Sequence, residues 1–344
     1  MSADPTYVIR AARASDIKAF IGLRDIAGAG FTSLMVDEAT LAKRLEATEA
    51  AYRADVRAPG SERYLLMLEH IESGAVVGTA AVKATVGARP PFFNFRVLTI
   101  AQASSAAERR FDMDVLILVN EFTGCSEVGS LFVQPEHRAG GAGRALAQSR
   151  YMLIGAGPDR FNLEVVSELR GVVDGAGRSP FWDHLGRHFF KMSFEEADRL
   201  SATTDNQFIL DLMPKYPIYV DLLAEEARAV IGKCHPQGEG AKRLLEWEGF
   251  RHDYVVDIFD GGPLMSAGRD MIRTRREARR LMLKAGTVAG GVRALVATDS
   301  VTGFACAPTR IVVDGDVAVV SSGTLRAIGL EPGETAIVWC DNAQ

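Results

Sequence analysis

The sequence predicts an α/β (α+β) fold, a mixed sheet flanked by helices, on three observations. The first is the stretch Ser126–Ile154, where an apolar run from Val128 to Val133 passes into a turn, a glycine cluster and a helical pattern. The second is the order of periodicities ahead of it, which reads strand, helix, helix, strand, strand. The third is a helix–glycine–strand ending that occurs twice, at Leu185-Gly186 and again at Gly249-Phe250.

In chain order, Tyr7 to Arg10 is a short strand, and Ala14-Ser15-Asp16 can cap a helix through Leu23. The turn Gly28-Ala29-Gly30 leads to Phe31–Leu34. Asp37 to about Arg53 is an amphipathic helix with Leu41, Leu45 and Thr48 on one side. Tyr64–Leu68 and Val76–Val86 alternate like paired antiparallel strands joined through Ser73-Gly74. Phe161–Leu169 reads as the next strand. Gly177 to Trp182 opens a helix that ends at Leu185-Gly186, and Phe189-Phe190-Lys191-Met192 reads as an aromatic strand after it. Ala241–Trp247 and Tyr254–Phe259 repeat that pattern and suggest a degenerate second half-fold. Helix–glycine–strand turns are common, so the repeat alone does not decide this. The run Arg269–Lys284 holds Arg269, Arg273, Arg275, Arg276, Arg279 and Arg280. It could meet a phosphate or a partner chain, but such a run is more often a solvated helix face. Thr309–Val313, Val317–Ser321 and Ala336–Trp339 then alternate as short strands, a small C-terminal β extension.

Composition limits the function classes. A chain of 344 residues holds one large or two ordinary domains, and 47% apolar with 24% charged residues is a soluble globular balance. The net charge of −5 argues against a general nucleic-acid or membrane-surface binder. An anionic cofactor would then need a local basic patch, and His137, Arg138, Arg144 and Arg150 supply one. Cys125, Cys234, Cys306 and Cys340 form no CxxC pair, so neither a zinc site nor a disulfide framework is expected, and a reducing cytoplasm fits. No apolar h-region follows Asp4-Pro5, and no apolar run reaches the roughly 18 residues of a membrane span.

The stretch Gln134–Gly143 has the makings of an anion site. Glycines allow close backbone approach, and the free N–H groups of the following helix point along its dipole. A P-loop would need Lys-Ser/Thr after its last glycine, where Arg144-Ala145 stand. A Rossmann turn would need a third glycine where Leu146 stands, and no residues between strand and glycines. The spacing Arg138-x-x-Gly141-x-Gly143 instead resembles the acyl-CoA pyrophosphate loop of GNAT-type N-acyltransferases, whose fold has the strand and helix order found here. The bland alternative is a glycine-rich surface turn.

Longer stretches resemble the arginine N-succinyltransferase family. They are Gly30-Phe31-Thr32-Ser33-Leu34, Asn94-Phe95-Arg96, Phe122-Thr123-Gly124 through Leu131-Phe132, and Glu168-Leu169-Arg170-Gly171. Gly177–Phe181, Leu212-Met213-Pro214-Lys215, Val230-Ile231-Gly232 with His235-Pro236, and Asp257–Pro263 continue the series. The match runs from about residue 8 to 283, and the tail beyond Ala285 matches poorly. Phe92, Phe93 and Phe95 stand where the family often has Trp or Tyr, so no indole or phenol hydrogen bond from them is essential. Met35 stands where proline is usual. The resemblance implies a GNAT acyl-CoA-binding domain at 1–200, a second GNAT-like half carrying the catalytic histidine at 201–284, and a β-rich extension at 285–344.

The chemistry so implied is succinyl transfer from succinyl-CoA to the α-amine of L-arginine, by direct attack in a ternary complex and without a metal. The amine is mostly protonated near neutral pH, so a base or water relay must take its proton. A backbone N–H on the central strand can hold the thioester oxygen. His235 occupies the family's proton-donor position, and Pro236 places it near the C-terminus of a helical pattern (Leu223, Ala227, Val230, Ile231), where a protonated ring is favoured. Read without the family, it is a surface histidine at a helix end. Leu131 takes the family's succinyl-CoA contact by backbone or packing. Gly141, Ala142, Gly143 and Arg144 offer N–H groups to the pyrophosphate, and Arg138 adds charge. Arg96 and Arg170 are candidates for the carboxylates, and Glu127, Glu168 or Asp174 for the guanidinium, each with a structural ion pair as the equal alternative. His184 and His188 lack the Glu of HExxH and read as packing or surface. Expected partners are L-arginine and succinyl-CoA, with assembly as a homo-oligomer or with a homologous subunit. Two other readings stay open: an N-acyltransferase for ornithine or another amine, and a non-catalytic subunit of a paired acyltransferase.

Overall fold

The computed structural model describes residues 4–27, 36–88, 91–203 and 207–341. The turn Gly28–Gly30, the Gly30–Leu34 match and Met35 lie outside the described residues. In chain order the elements are β1 (Tyr7–Ala11), α1 (Ile17–Ala27), α2 (Glu38–Arg53), β2 (Arg63–His70), β3 (Ala75–Lys83), β4 (Asn94–Ser104), β5 (Arg109–Val119), β6 (Ser126–Val133), α3 (Ala142–Ala156) and β7 (Glu164–Glu168). Then come α4 (Arg187–Phe190), α5 (Phe194–Thr203), α6 (Gln207–Leu212), β8 (Ile218–Tyr219), α7 (Glu225–Arg228), α8 (Glu239–Glu248), β9 (Arg251–Asp257) and β10 (Pro263–Gly268). The chain closes with α9 (Arg273–Glu277), β11 (Arg279–Ala285), β12 (Val292–Thr298), β13 (Ala305–Asp314), β14 (Val317–Val320), α10 (Ser322–Ile328) and β15 (Thr335–Cys340).

Two compact units form. One comprises Met1–Thr85, Ser126–Leu163 and Gly268–Gln344; the other comprises Val86–Cys125 and Glu164–Ala267. The division expected at 1–200, 201–284 and 285–344 follows the chain, whereas the units follow strand pairing, which draws the last strands to the first.

In the first unit the sheet runs β13-β1-β2-β3-β6. β12, β15, β11, β14 and β13 pair in that order, and β12 also pairs with β13, closing a five-stranded barrel. β13 joins β1 at Ile9↔Cys306. Leu281, Val296, Ile311, Val320 and Val338 fill the barrel and Val8 packs with them. The arginine run is therefore not one helix face, because alternation buries Leu281 and Leu283 and turns Arg279–Ala285 into a strand.

The N-terminal helices form for local reasons. Asp37 accepts from Thr40 N–H at 2.8 Å and caps α2. Leu41, Leu45, Thr48 and Tyr52 are buried along one face of that helix. The helix expected from Ala14 starts instead as a 3-10 turn, Ala14–Asp16. Asp16 accepts from Arg13 N–H at 2.8 Å and forms a bidentate pair with Arg10, and α1 follows at Ile17.

The second unit orders its strands β7-β10-β9-β4-β5-β8 around Trp182. The Trp182 ring stacks on Phe259 at 5.6 Å and lies 5.1 Å from Phe190. Here Phe189–Met192 departs from the expected aromatic strand. A π-turn at Trp182–Gly186 lets the helix run on to Phe190, and Lys191, at φ 54°, ends it. Gly186 permits this because a Cβ there would collide with the Trp182 ring. The second ending matches expectation: α8 stops at Gly249, φ 99°, and β9 follows.

Candidate active site

In the first unit the central strand β6 carries a bulge. It pairs with β3 at Ala81↔Gly129 and Thr79↔Phe132, so Ser130 and Leu131 face the single residue Ala80. Ser130 adopts φ 50°, in the left-handed region that non-glycine residues rarely visit. Leu131, half-buried, thus falls outside the ladder register.

After β6 come two 3-10 turns, Pro135–His137 and Ala139–Gly141. Gly140 and Gly141 adopt φ 76° and 89°, so a side chain at either would strain the turn. Gly141 caps α3 without a side chain, leaving the first-turn N–H groups of Ala142, Gly143 and Arg144 without a side-chain cap. Gly143 sits inside the helix, and a Cβ there would meet no heavy atom within 4 Å. Among the described residues no contact requires glycine at this position.

The expected basic patch is thinner than its sequence. Arg138 folds back, donating to the Val133 carbonyl at 2.9 Å with its guanidinium 5.8 Å from the Phe132 ring centre. Arg144 pairs with Asp341 at 3.2 Å and lies over Trp339. Arg150 does not belong to the patch. It is 4% exposed and donates to the Ala147 carbonyl, because its position on α3 turns it inward. Several arginines of the C-terminal run have partners of their own. Arg269 holds the Pro158 and Phe161 carbonyls, Arg279 pairs with Asp316, and Arg280 with Asp299.

In the second unit His235 sits in a built platform. Its N–H donates to the Arg170 carbonyl at 2.8 Å, and Cys234 bridges to Gly171. Gly171 N–H donates to Asp260 at 2.7 Å, and Gly232 N–H to the Gly261 carbonyl at 2.8 Å. The expectation that His235 lies at a helix C-terminus is overturned. α7 is a single turn, Glu225–Arg228, and His235 instead precedes a 3-10 turn at Pro236–Gly238 that leads into α8. Its Nδ1 accepts from Gln237 N–H at 3.2 Å. A ring that accepts at Nδ1 carries its neutral proton on Nε2. Burial, then the Arg170 cation, depress its pKa, so the ring is held neutral rather than protonated.

Arg170 is half-buried, and its Nε finds no hydrogen-bond partner among the described residues. Asp198, Asp257 and Asp260 complete this neighbourhood; Asp257 and Asp260 lie in the Asp257–Pro263 match, whereas Asp198 has no signal in the sequence beyond its type. Burial lifts the Asp198 carboxyl to about 6, with Asp257 raising it further and Arg170 opposing. Burial also pushes Asp257 and Asp260 up, Asp260 further because the Asp257 charge adds to it. The other candidates have partners of their own. Arg96 pairs with Glu121 at 2.6 Å, Glu127 with Lys83, Asp174 with Arg178, and Glu168 accepts from Asn94 at 2.9 Å. The Cys234 thiol donates to Glu239, and burial lifts its pKa to about 11, which makes it a poor nucleophile. His184 and His188 are exposed.

Gly171 admits no side chain, since a Cβ there would collide with the Asp260 carbonyl and carboxylate. Gly171→Ala is expected to cost about 1–3 kcal/mol of stability in a urea titration. An unchanged midpoint would show that the platform is not rigid.

A bulged central strand, a glycine turn and an uncapped helix on a mixed sheet define an acyl-group transferase of the GNAT type. The family described as Arginine N-succinyltransferase beta subunit matches residues 7–274. The chain is 40% identical to the Arginine N-succinyltransferase of Citrobacter koseri and 41% to that of Salmonella arizonae, each over 330 residues and 95% of both chains. Its structure resembles that of arginine/ornithine succinyltransferase subunit AI from Pseudomonas aeruginosa, with a TM-score of 0.88 and 31% identity over 98% of this chain and 99% of that one. The chain belongs to the arginine N-succinyltransferase family. The similarity over 330 of 344 residues reaches into the tail beyond Ala285, where the sequence alone showed little match.

Proposed function

We propose that the chain transfers the succinyl group of succinyl-CoA to the α-amine of L-arginine. The amine nitrogen attacks the thioester carbonyl, the C–N bond forms, the C–S bond breaks, and the amine proton is lost as the thiolate gains one. The glycine loop carries this reading: two left-handed glycines, then open space over Gly143, on a chain of this family. In it, N–H groups of Ala142, Gly143 and Arg144 hold the CoA diphosphate, with Gly141 shaping the turn, Arg138 beside it and the Leu131 bulge meeting the acyl group. His235 donates a hydrogen bond from its neutral Nε2–H to the departing thiolate, which then takes its proton from water. Arg170 receives a carboxylate, and the remaining candidates, Arg96, Glu127 and Glu168, border the substrate. No helix among the described residues is long and apolar enough to cross a membrane, and we assign the enzyme to the cytoplasm, as a homo-oligomer or paired with a homologous subunit.

Thiol release from succinyl-CoA or acetyl-CoA with a panel of amino acids tests the reaction. Release with succinyl-CoA and arginine is expected. Release only with another amine would overturn the acceptor, and ornithine is the first to try, because the similar Pseudomonas aeruginosa protein is named for both amino acids.

Asp198 is our candidate for taking the amine proton, as its raised pKa suits a base near neutrality. A carboxyl with a folded pKa near 6 against 3.8 destabilises the fold progressively as pH rises between those values. Asp198→Asn is therefore expected to gain roughly 1–2 kcal/mol at pH 7, none below pH 4, and to lose at least tenfold in rate. Urea titrations at both pH values, with rate assays, measure this. A variant equally stable relative to the parent at both would contradict the burial argument.

A further inference from the structure

We infer that the hollow between the C-terminal half of α3 and the helix-to-strand turn at Ala278 binds a small multivalent oxyanion of the phosphate class. The site lies wholly within the first unit and does not depend on the reaction proposed above.

α9 stops at Glu277, Ala278 is extended, and β11 begins at Arg279. This change of backbone gathers arginines from a helix and from a strand around one hollow of about 270 Å³, against Tyr151, Met152 and Gly155 of α3. Arg275, Arg276, Arg279 and Arg280 line it, and Asp270 is the one carboxylate among the described residues that do so. Asp270 is itself divided, pairing with Arg275 at 3.0 Å and with Arg269 at 2.9 Å. Glu277, Asp299 and Asp316 pair with Arg276, Arg280 and Arg279, but none of these three carboxylates lines the hollow. Four positive charges thus meet one negative charge on a concave surface, which focuses a positive field.

The arginines also hold unused donors. Arg275 Nε is buried and has no hydrogen-bond partner among the described residues. Buried polar groups are nearly always satisfied, so an orphan on a residue that walls a hollow calls for an acceptor from outside the chain. Burial depresses the Arg275 pKa, Asp270 opposes this, and the Arg269 and Arg280 cations lower it further. An anion in the hollow offsets that repulsion. Arg280 donates from Nε to Asp299 at 2.8 Å and from Nη2 to the Gly155 carbonyl at 3.3 Å, and its Nη1 makes no hydrogen bond among the described residues. Planar guanidinium forks match the paired oxygens of an oxyanion.

Size and charge select the occupant. A hollow of about 270 Å³ is smaller than the roughly 300–1,000 Å³ that drug-sized ligands fill, which points to a small ion rather than a nucleotide or a polymer. Four arginines against one aspartate leave an excess of three positive charges, which favours a dianion over chloride or a monocarboxylate. The hollow is set apart from the glycine loop. Gly143 and Tyr151 are eight residues apart on α3, about 12 Å along its axis.

Calorimetric titration of inorganic phosphate into the purified full-length chain, with chloride holding the ionic strength constant, tests this. Saturable binding is expected. Arg275→Gln and Arg280→Gln should each weaken it at least tenfold. Arg275→Lys keeps the charge and guards against misfolding; it should still lose severalfold, because an ammonium cannot replace the fork. Arg326→Gln, at an exposed arginine that does not line the hollow, should change nothing. CoA affinity should stay within twofold in Arg275→Gln, so the outcome is read apart from that of the glycine loop. No saturable binding to the parent, or an equal loss in Arg326→Gln, would overturn the inference. So would parent-like affinity in both Arg275 variants, the result for a phosphate resting on the glycine loop instead. A parallel loss of CoA affinity in Arg275→Gln would make the hollow part of the cofactor site and overturn its independence.

Discussion

His235→Ala is expected to lower kcat for succinyl transfer by roughly 10²–10³-fold, the range for loss of a positioned hydrogen-bond donor to developing negative charge. Both KM values should stay within a few-fold, because the glycine loop and Arg170 do not depend on the imidazole. The ring's environment adds a pH signature. Its pKa is depressed, by burial first and by the Arg170 cation second. Protonation would put a proton on Nδ1, against the N–H of Gln237 that now donates to it. The limb due to His235 should therefore lie below the ordinary histidine value of about 6.5, with activity falling as pH drops through it. Arg170→Gln removes the smaller cause and should shift that limb upward without restoring the ordinary value. A ring titration by NMR, run beside the kinetics, reads the same change directly. If His235→Ala kept full turnover, the hydrogen-bond donor would have to be sought elsewhere. If Arg170→Gln moved the limb down, the electrostatic account would be wrong.

This reassignment of His235 shows where sequence reasoning stops. Pro236 keeps His235 out of a helix, but the consequence depends on which helix the histidine adjoins. The apolar spacing of Leu223, Ala227, Val230 and Ile231 promised a helix before it, and only Glu225–Arg228 is helical. The ring instead caps the turn into α8, which reverses the sign of the local field. Local patterns served better. The Ser126–Ile154 stretch reads directly as strand, glycine turn and helix, because hydrophobic alternation and positive-φ glycines are written into neighbouring residues. The β4–β5 hairpin is not legible in the sequence because its exposed half mixes Arg109, Arg110, Asp112 and Asp114 into the alternation. Its turn, Ser105–Glu108, has no glycine or proline to announce it. Asp198 carries no mark in the sequence, and the Asp257–Pro263 match carries no sign of a raised pKa. A carboxyl acquires a raised pKa from what packs over it, and those contacts come from residues far away in the chain. The closed barrel had the same invisibility, since short strands do not reveal which of their neighbours they join.

Gly143→Ala should separate the two uses of the glycine loop by moving stability and binding in opposite directions. Glycine inside a helix costs up to about 1 kcal/mol relative to alanine. A Cβ at this position meets nothing within 4 Å in the free protein, so alanine brings no clash to offset that gain. The variant is therefore expected to melt at or slightly above the parent's midpoint. If a diphosphate rests against the first turn of α3, the same methyl group occupies its space and keeps it from the N–H groups, and charge-assisted hydrogen bonds of this kind depend steeply on distance. CoA affinity should fall at least tenfold, read by calorimetry on the variant and the parent. Gly141→Ala behaves differently. At φ 89° a side chain strains the backbone by roughly 1–2 kcal/mol, so stability and binding fall together. A loop that served only as a surface turn would show the stability effects of both substitutions and no loss of CoA binding in Gly143→Ala, and that outcome would remove the thioester cofactor from this site.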